Sequence, residues 1–360
     1  MQIVVGVLGA ALVALMLLEI FLTYLVPQRV RRGPRIVRVL REIAWRPWRW
    51  LARKLPDRAA DTMLGLYGPF GLVMNLTLWV LGMMLGYAAL QWAGGSRLAP
   101  GHSVAFGQDL YFSAATLVSS GTGSLSAQTA FARVIQVIDA ASGLLTLAVV
   151  IGYLPALFQA YSRREATVSK LDARAGSPPT AGRLVIRSAR RGGWPAPNDY
   201  LGEWETWTAE LMETHLSYPI LAYYRSQHVN QSWLAALCTV LDSCALTVAA
   251  APVGTVDAAR LTFAIGRHAV ADLSYTFRTA PRPPAVDRLP MATLERLVAE
   301  LRENGVSIEQ DLGTIFDRLV RMRAIYEPYV NALAAKLALR LPEWTATESA
   351  TDNWRTTEWH

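Results

Sequence analysis

The sequence predicts an all-α membrane protein with three transmembrane helices, a short re-entrant helix between the second and third, and an α-helical cytoplasmic domain. Hydrophobic residues make up 52% of the 360-residue chain. They are concentrated in three blocks, and each is long enough to cross a bilayer, which takes about 20 residues. The net charge of +7 arises in one short loop beside the first block, as expected for a loop held at the cytoplasmic surface.

The first predicted transmembrane helix covers residues 1–26 and carries one charge, Glu19. A signal peptide is the competing interpretation, but the apolar run is long and has neither a basic start nor a small-residue cleavage site. Glu19 is expected either to anchor the helix at the interface or to lie buried against another helix.

The basic loop, residues 27–61, contains eleven Arg or Lys and three acids. This excess predicts that the loop is cytoplasmic, which places the N-terminus outside the cell inner (plasma) membrane and the C-terminal domain in the cytoplasm. Apolar and basic residues alternate with helical spacing, typical of an amphipathic helix at the membrane surface. Anionic lipids are therefore a predicted partner, contacted by Arg38, Arg41, Arg46 and Arg49.

The next 100 residues, 62–161, form a predicted membrane module. Its outer helix covers 63–92 and its inner helix covers 130–161, and both are long enough to span a bilayer. Between them, residues 108–118 lack Gly and Pro and suit a short helix, and the polar run 119–124 follows at once. Non-helical backbone at membrane depth must be buried in protein or line water, so this run is predicted to line a pore.

The polar run can bind cations through its backbone. A cation loses its water only where a ring of oxygens replaces the hydration shell, and glycine allows the backbone conformations that aim successive carbonyls inward. Such a ring needs four copies of the chain, which predicts a homotetramer. The expected ion-binding residues are Ser119, Ser120, Gly121, Thr122 and Gly123.

The segment from Thr116 to Ser124 resembles the pore loop of the potassium-channel superfamily, whose signature is Thr-x-x-Thr-Val-Gly-Tyr-Gly-Asp. Without a gap, Thr116 and Ser119 align with the two threonines, and both glycines are retained. The resemblance to bacterial two-transmembrane pore-loop channels implies potassium ions in a selectivity filter, here with one extra N-terminal span. By this alignment Thr116 and Ser124 are expected to support the filter. Thr122 replaces the family's packing aromatic and Ser124 its acidic anchor, so the filter is degenerate and potassium selectivity is in question.

Three features of the inner helix bear on support and gating. Asp139 either lines the cavity below the filter or supports the filter from behind by bonding to pore-helix hydroxyls, in the place of the missing acid; the second role is favoured. Gly143 is either a gating hinge or a small residue that allows close packing. Pro155 is expected to kink or end the helix, next to a possible apolar gate that includes Phe158.

The cytoplasmic part is predicted to comprise a linker over 162–198, a helical domain over 199–342 and a flexible tail over 343–360. The apolar segment Trp233 to Ala251 has Asp242 at its centre, which favours a buried soluble helix over a fourth span. No disulfide is expected between Cys238 and Cys244 in a reducing compartment.

Several classes of function are disfavoured. The sequence has no nucleotide-binding, hydrolase or zinc-peptidase motif, so neither an enzyme nor a cofactor nor a bound metal is expected. The surplus charge is confined to one loop, which argues against nucleic acid as a partner.

The function that these features favour is a tetrameric cation channel that conducts potassium and is gated at the inner helix by the cytoplasmic domain. The ligand of that domain is unknown. The main alternative is a channel-like membrane scaffold or sensor that does not conduct. A secondary transporter is less favoured, because it would show repeated spans with matching interruptions.

Overall fold

The structure is a computed structural model and describes residues 1–24, 36–95, 98, 105–189, 194, 201–228, 230–252, 254 and 256–345. Within these ranges the protein is all-helical without a β-strand, which confirms the predicted helical class. The chain divides into two compact units, Met1–Phe158 and Gln159–His360. The described helices are α1 (Gln2–Tyr24), α2 (Ile36–Ala52), α3 (Asp57–Ala93), α4 (Phe106–Leu117), α5 (Ala130–Ala175), α6 (Ala181–Ser188), α7 (Gly202–Ser217), a 3₁₀ helix (Pro219–Tyr223), α8 (Trp233–Ala250), α9 (Asp257–Thr276), α10 (Met291–Glu303) and α11 (Leu312–Leu337).

Four of these helices, α1, α3, α5 and α8, are long and apolar enough to cross a membrane. This length and composition indicate a membrane protein. The first three coincide with the predicted spans. The fourth has 94% of its apolar window buried by the rest of the protein, which is the environment expected of a buried soluble helix.

In the first unit, α1 and α3 pack antiparallel through glycines. A Cβ atom on Gly9 would lie 2.7 Å from the carbonyl oxygen of Gly86, and a Cβ on Gly86 would lie 2.6 Å from Val13. Small residues at such a crossing let two helix backbones approach closely, a common device in membranes. Larger side chains, including Met16 and Trp79, fill the interface beyond the crossing. The N-terminal helix is therefore an integral part of this unit.

Helix α2 is held against the beginning of α3 by polar and aromatic contacts. Trp48 donates a hydrogen bond from its indole nitrogen to the carbonyl oxygen of Met63 at 2.9 Å, and the rings of Trp45 and Tyr67 are 4.6 Å apart. Glu19 is buried and accepts a hydrogen bond from the backbone N–H of Ile36 at 3.1 Å. A carboxylate at a helix N-terminus satisfies a free N–H and favours the helix dipole. Glu19 thus holds the start of α2.

The second unit is organised around a buried acid, Asp242 of α8. Arg288 and the hydroxyl of Tyr326 both donate hydrogen bonds to its carboxylate. Arg288 also pairs with Glu327 at 3.3 Å, and Glu327 accepts a second bond from Arg323 at 3.0 Å. The network compensates the buried charges and joins α8 to α11 through the segment that carries Arg288.

Three boundaries differ from the prediction. Helix α3 begins at Asp57, inside the predicted loop 27–61, and not at residue 63. Helix α5 does not end at residue 161 but continues to Ala175, and α6 also lies in the predicted linker 162–198. Good helix formers fill the extension until Gly176, whose φ of 90° suits the residue just after a helix. In the predicted tail 343–360, Trp344 is fully buried and its carbonyl oxygen accepts a hydrogen bond from Gly182 at 3.1 Å. The remainder of the tail, like residues 27–35 of the basic loop, lies outside the described residues.

The Asp242 network predicts a large difference between buried and exposed ion pairs. We expect Arg288→Met to lower the free energy of unfolding by about 3–5 kcal/mol, because it leaves Asp242 charged and buried without a cation. The matched control is Lys170→Met, which breaks a 2.6 Å pair whose lysine side chain is 59% exposed and should cost less than about 1 kcal/mol. Denaturant titration of the full chain in detergent measures both. If the two variants lose the same free energy of unfolding, Arg288 does not compensate the buried charge of Asp242.

Candidate functional site

The candidate site begins with α4, which lies between α3 and α5 in the first unit. The helix covers Phe106–Leu117, within two residues of the predicted 108–118. Asp109 stands in its first turn, where an acid favours the helix dipole. At its C-terminus the N–H of Ser120 bonds to the carbonyl oxygen of Ala115 at 2.9 Å. Residues 118–124 then continue in an irregular, mostly exposed conformation.

The backbone after α4 alternates between positive and negative φ. The φ angle is 55° at Ser119, 88° at Gly121 and 62° at Gly123, whereas Ser120 and Thr122 are not in this left-handed region. Alternate residues of opposite handedness can turn successive carbonyls toward the same side of the chain, which the carbonyl rings of a cation filter require. Glycine adopts positive φ without strain, but a residue with a side chain adopts it at a cost.

The carbonyl groups of this segment are not equally free. Those of Ser119, Ser120 and Gly121 accept no hydrogen bond from the described residues. The Thr122 carbonyl accepts one from Leu125 N–H at 3.1 Å, and the Thr122 hydroxyl donates one to the Leu125 carbonyl at 2.7 Å. Thr122 therefore closes a local turn in the position where the resemblance expects an aromatic ring. Ser124, proposed as a support, is exposed.

Asp139 lies on the face of α5 that is turned toward α4. Its side chain is 1% exposed, and Ser113 of α4 supplies the hydroxyl that interacts with its carboxylate. The pair is not a complete hydrogen bond, since Ser113 Oγ and Asp139 Oδ1 are both without a partner among the described residues. Thr116, the support named from the sequence, is likewise buried with its Oγ1 unpartnered. Ser113 could have been inferred from its position one turn before Thr116.

Gly143 lies where α5 meets the end of α4. A Cβ atom there would be 2.0 Å from the carbonyl oxygen of Leu117 and 2.9 Å from its carbonyl carbon. No side chain fits at this distance, so the close packing between the two helices requires glycine. Of the two roles predicted for Gly143, close packing is the one with a visible cause in the structure.

The C-terminal half of α5 departs from the expected gate geometry. Pro155 neither ends the helix nor shortens it, and α5 continues for five more turns. Phe158 is 51% exposed whereas Leu157 is completely buried. Of these two residues, Phe158 is the one whose apolar side chain is exposed.

In the second unit, the end of α5 is anchored by a buried arginine. Arg164 donates hydrogen bonds to the carbonyl oxygens of Leu221 and Tyr224, both at 2.9 Å. Its Nη1 also lies 3.3 Å from Nε2 of His215 on α7. His215 is fully buried, and its Nδ1 lies 2.8 Å from the carbonyl oxygen of Leu211. Burial and the nearby Arg164 lower the pKa of His215 to about 3, so the ring is neutral and accepts from Arg164.

The basic residues of α2 surround an apolar surface that α3 does not cover. Val39, Ile43 and Trp50 are 50%, 60% and 58% exposed. Arg46 is exposed, and Arg38, Arg41 and Arg49 are partly buried. This arrangement of apolar and basic side chains matches the amphipathic helix expected from the sequence.

Comparison of the chain with protein-family models, with curated proteins and with solved structures finds no match. The resemblance to potassium channels therefore depends on the pore segment itself. No group of three His, Cys, Asp or Glu side chains within the described ranges could hold a metal ion.

The contact at Gly143 predicts a position-specific effect of a single methyl group. We expect Gly143→Ala to lower the free energy of unfolding by about 1–3 kcal/mol, because the Cβ displaces the end of α4. Gly152→Ala is the control on the same helix, since a Cβ there meets no atom within 4 Å. Thermal unfolding in detergent compares the two. If both variants match the wild type, the close approach of α4 and α5 is incorrect.

The buried His215 predicts that acid weakens the second unit. Its pKa is lower in the folded chain than its ordinary 6.5, so below that pH the unfolded chain binds the proton first and stability falls as pH falls. Between these two pKa values, the free energy of unfolding should fall by up to about 1.4 kcal/mol for each unit by which the pH is lowered. His215→Gln retains an acceptor for Arg164 without titrating, and unfolding of the full chain at several pH values should show a shallower slope. If the free energy of unfolding has the same slope against pH in the variant and in the wild type, His215 is not neutral in the folded chain.

Proposed function

We propose that the protein is a homotetrameric cation channel in which potassium ions pass through carbonyl rings of residues 119–123. In this proposal α1, α3 and α5 span the membrane and α4 is the re-entrant pore helix. The observation that carries the proposal is the alternating backbone at Ser119, Gly121 and Gly123, directly after α4. Ser119 holds a left-handed conformation that disfavours side chains, and such strain is typical of functional sites.

The carbonyls from Ser119 to Gly121 supply the ligands. They have no hydrogen-bond donor among the described residues, and an unsatisfied carbonyl at membrane depth is costly. A dehydrated cation held by equivalent carbonyls from four chains satisfies them. The negative C-terminal end of α4 would point toward this axis and favour cations over anions.

One face of α5 suits contact between the subunits. Val137, Leu144, Ile151 and Phe158 follow one another at intervals of seven residues and are 68%, 67%, 62% and 51% exposed. Side chains seven apart lie on the same face of a helix. In a tetramer this row would line the inner pore and meet the neighbouring α5 helices, which makes Phe158 the leading candidate for the gate.

The cytoplasmic domain would act on the gate through α5. The helix is continuous from Ala130 to Ala175, and Arg164 ties its distal part to α7 and the 3₁₀ helix. A rearrangement of the domain on binding its ligand would then move α5 as a rigid element. The exposed apolar and basic surface of α2 would lie on anionic lipids at the cytoplasmic face, with the N-terminus outside and the C-terminal domain in the cytoplasm.

A second candidate function is a tetrameric membrane scaffold or sensor that does not conduct. The observation that favours it is Thr122, whose carbonyl and hydroxyl both bond to Leu125. This turn removes one carbonyl from the set available to ions. The two candidates therefore differ in ion flux but not in assembly.

Potassium flux into liposomes distinguishes the channel from the scaffold. We expect the purified chain to have the mass of a tetramer and to dissipate a potassium gradient. Gly121→Ala should reduce the flux about tenfold or more, since its φ of 88° disfavours an L side chain by roughly 1–2 kcal/mol.

The control is Gly107→Ala in α4, where a Cβ meets no atom within 4 Å and φ is not in the left-handed region. This variant should conduct like the wild type. A tetramer without flux under any pH or lipid composition would leave the scaffold as the function. A monomer or dimer would contradict both functions.

A further inference from the structure

Asp139 is a buried carboxylic acid without a cation to neutralise it. It is 1% exposed, and it takes part in none of the ion pairs formed by the described residues. Its Oδ1 atom has no hydrogen-bond partner in the same part of the chain. A charged carboxylate in such a site loses its hydration and recovers little of that loss from the protein.

The neighbouring hydroxyls on α3 and α5 are already committed to other acceptors. Tyr87 of α3 is the titratable group close enough to interact with Asp139, and its hydroxyl lies 2.6 Å from Ser142 Oγ. Ser142 donates its own proton to the carbonyl oxygen of Ile138 at 2.8 Å. Tyr87 must therefore donate to Ser142, and neither proton is available to Asp139.

The other charged groups of the packed helices do not neutralise Asp139 either. On α5, Arg133 is exposed and donates to the carbonyl oxygen of Ala127 at 3.1 Å. On α4, the charged residue is Asp109, itself an acid. What α4 presents to Asp139 is the hydroxyl of Ser113, which is fully buried and has no complete hydrogen bond.

We propose that Asp139 is a proton-binding site, and that the protonated carboxyl forms a neutral hydrogen-bonded pair with Ser113 between α5 and α4. A bound proton removes the uncompensated charge and converts the carboxyl into a donor as well as an acceptor. The neutral carboxyl can then donate to Ser113 Oγ or accept from it, and both Ser113 Oγ and Asp139 Oδ1 lack a partner in the described residues. Titratable residues inside membrane helices commonly mark functional sites.

Protonation of Asp139 would regulate ion flux, an extension that depends on the proposed function. Ser113 is on α4, one turn before Thr116 and two turns before the carbonyls that follow the helix. Loss of the proton would leave Ser113 as the only donor of the pair and place an uncompensated negative charge behind α4. The position of α4, and with it the flux, would then depend on pH.

Infrared spectroscopy of the full chain in liposomes tests the proton site without reference to conduction. We expect the wild type to show the carbonyl stretch of a protonated carboxylic acid at mildly acidic pH and to lose it as the pH rises. Asp139→Asn should abolish this band. Asp109→Asn, the same change at another buried carboxylate of the unit, should retain it.

Two outcomes would overturn the proposal. One is a band that Asp139→Asn leaves unchanged. The other is an ionised carboxylate at every pH whose signal changes when potassium is replaced by a large organic cation, which would make Asp139 a cation site. If Asp139→Asn fails to fold, Ser113→Ala is the second test, because it keeps the carboxyl of Asp139. We expect this variant to shift the infrared band of that carboxyl. A band at the wild-type position would contradict the hydrogen bond between Asp139 and Ser113.

A flux measurement then tests the regulatory extension. We expect the potassium flux of the wild type to change severalfold across the pH range in which the infrared band disappears, and that of Asp139→Asn to be constant there. If the infrared band of Asp139 is present but the chain shows no potassium flux, Asp139 is a proton-binding site and the protein is not a channel. Flux that changes equally with pH in both proteins would refute the regulation.

Discussion

The close approach of α4 to α5 at Gly143 is the constraint on which the candidate site depends. The last carbonyl of α4 comes so near to α5 that a single methyl group at residue 143 would overlap it. This contact lies at the last residue of α4, directly before the residues whose φ alternates in sign. Asp139 precedes Gly143 by one turn on the same side of α5. Both residues lie against α4, Gly143 at Leu117 and Asp139 at Ser113.

The contacts around α4 differ from those that the resemblance to potassium channels implies. A filter of the potassium-channel kind is braced by an aromatic ring and an acid, and Thr122 and Ser124 supply neither. The contact at Gly143 and the polar residues around Asp139 lie instead behind α4, on the neighbouring helix. Contact with α5 acts on the end of α4, whereas Thr122 stabilises residues 122–125 locally through its turn with Leu125.

Helix α5 is long, and its faces differ in their contacts. One face carries Asp139 and Gly143 toward α4, and the opposite face presents the apolar row that begins at Val137. Beyond Phe158 the same helix enters the second unit, where Arg164 binds two backbone carbonyls and a neutral histidine. One helix therefore contributes residues to the contact with α4 and to the packing of the second unit.

Much of the fold could be predicted from local sequence, and the candidate site only in part. Blocks of apolar residues predicted α1, α3 and α5, and the run without Gly or Pro predicted α4, because these features depend on residues close in the chain. The end of α5 was missed although Gly176 marks it, since hydropathy defines the span and not the helix. The roles of Ser113 and Tyr87 were also missed, because their partners lie on other helices.

The sequence by itself determined which segments are helical and apolar, where the basic loop lies, and which residues can adopt the alternating backbone. These properties arise from composition and from the conformational freedom of glycine. Only the tertiary structure decided that Gly143 serves close packing, that Asp139 faces α4 without a cation, and that Glu19 holds the start of α2. Each of these depends on an atom supplied by a distant segment, and no local pattern specifies which segments meet.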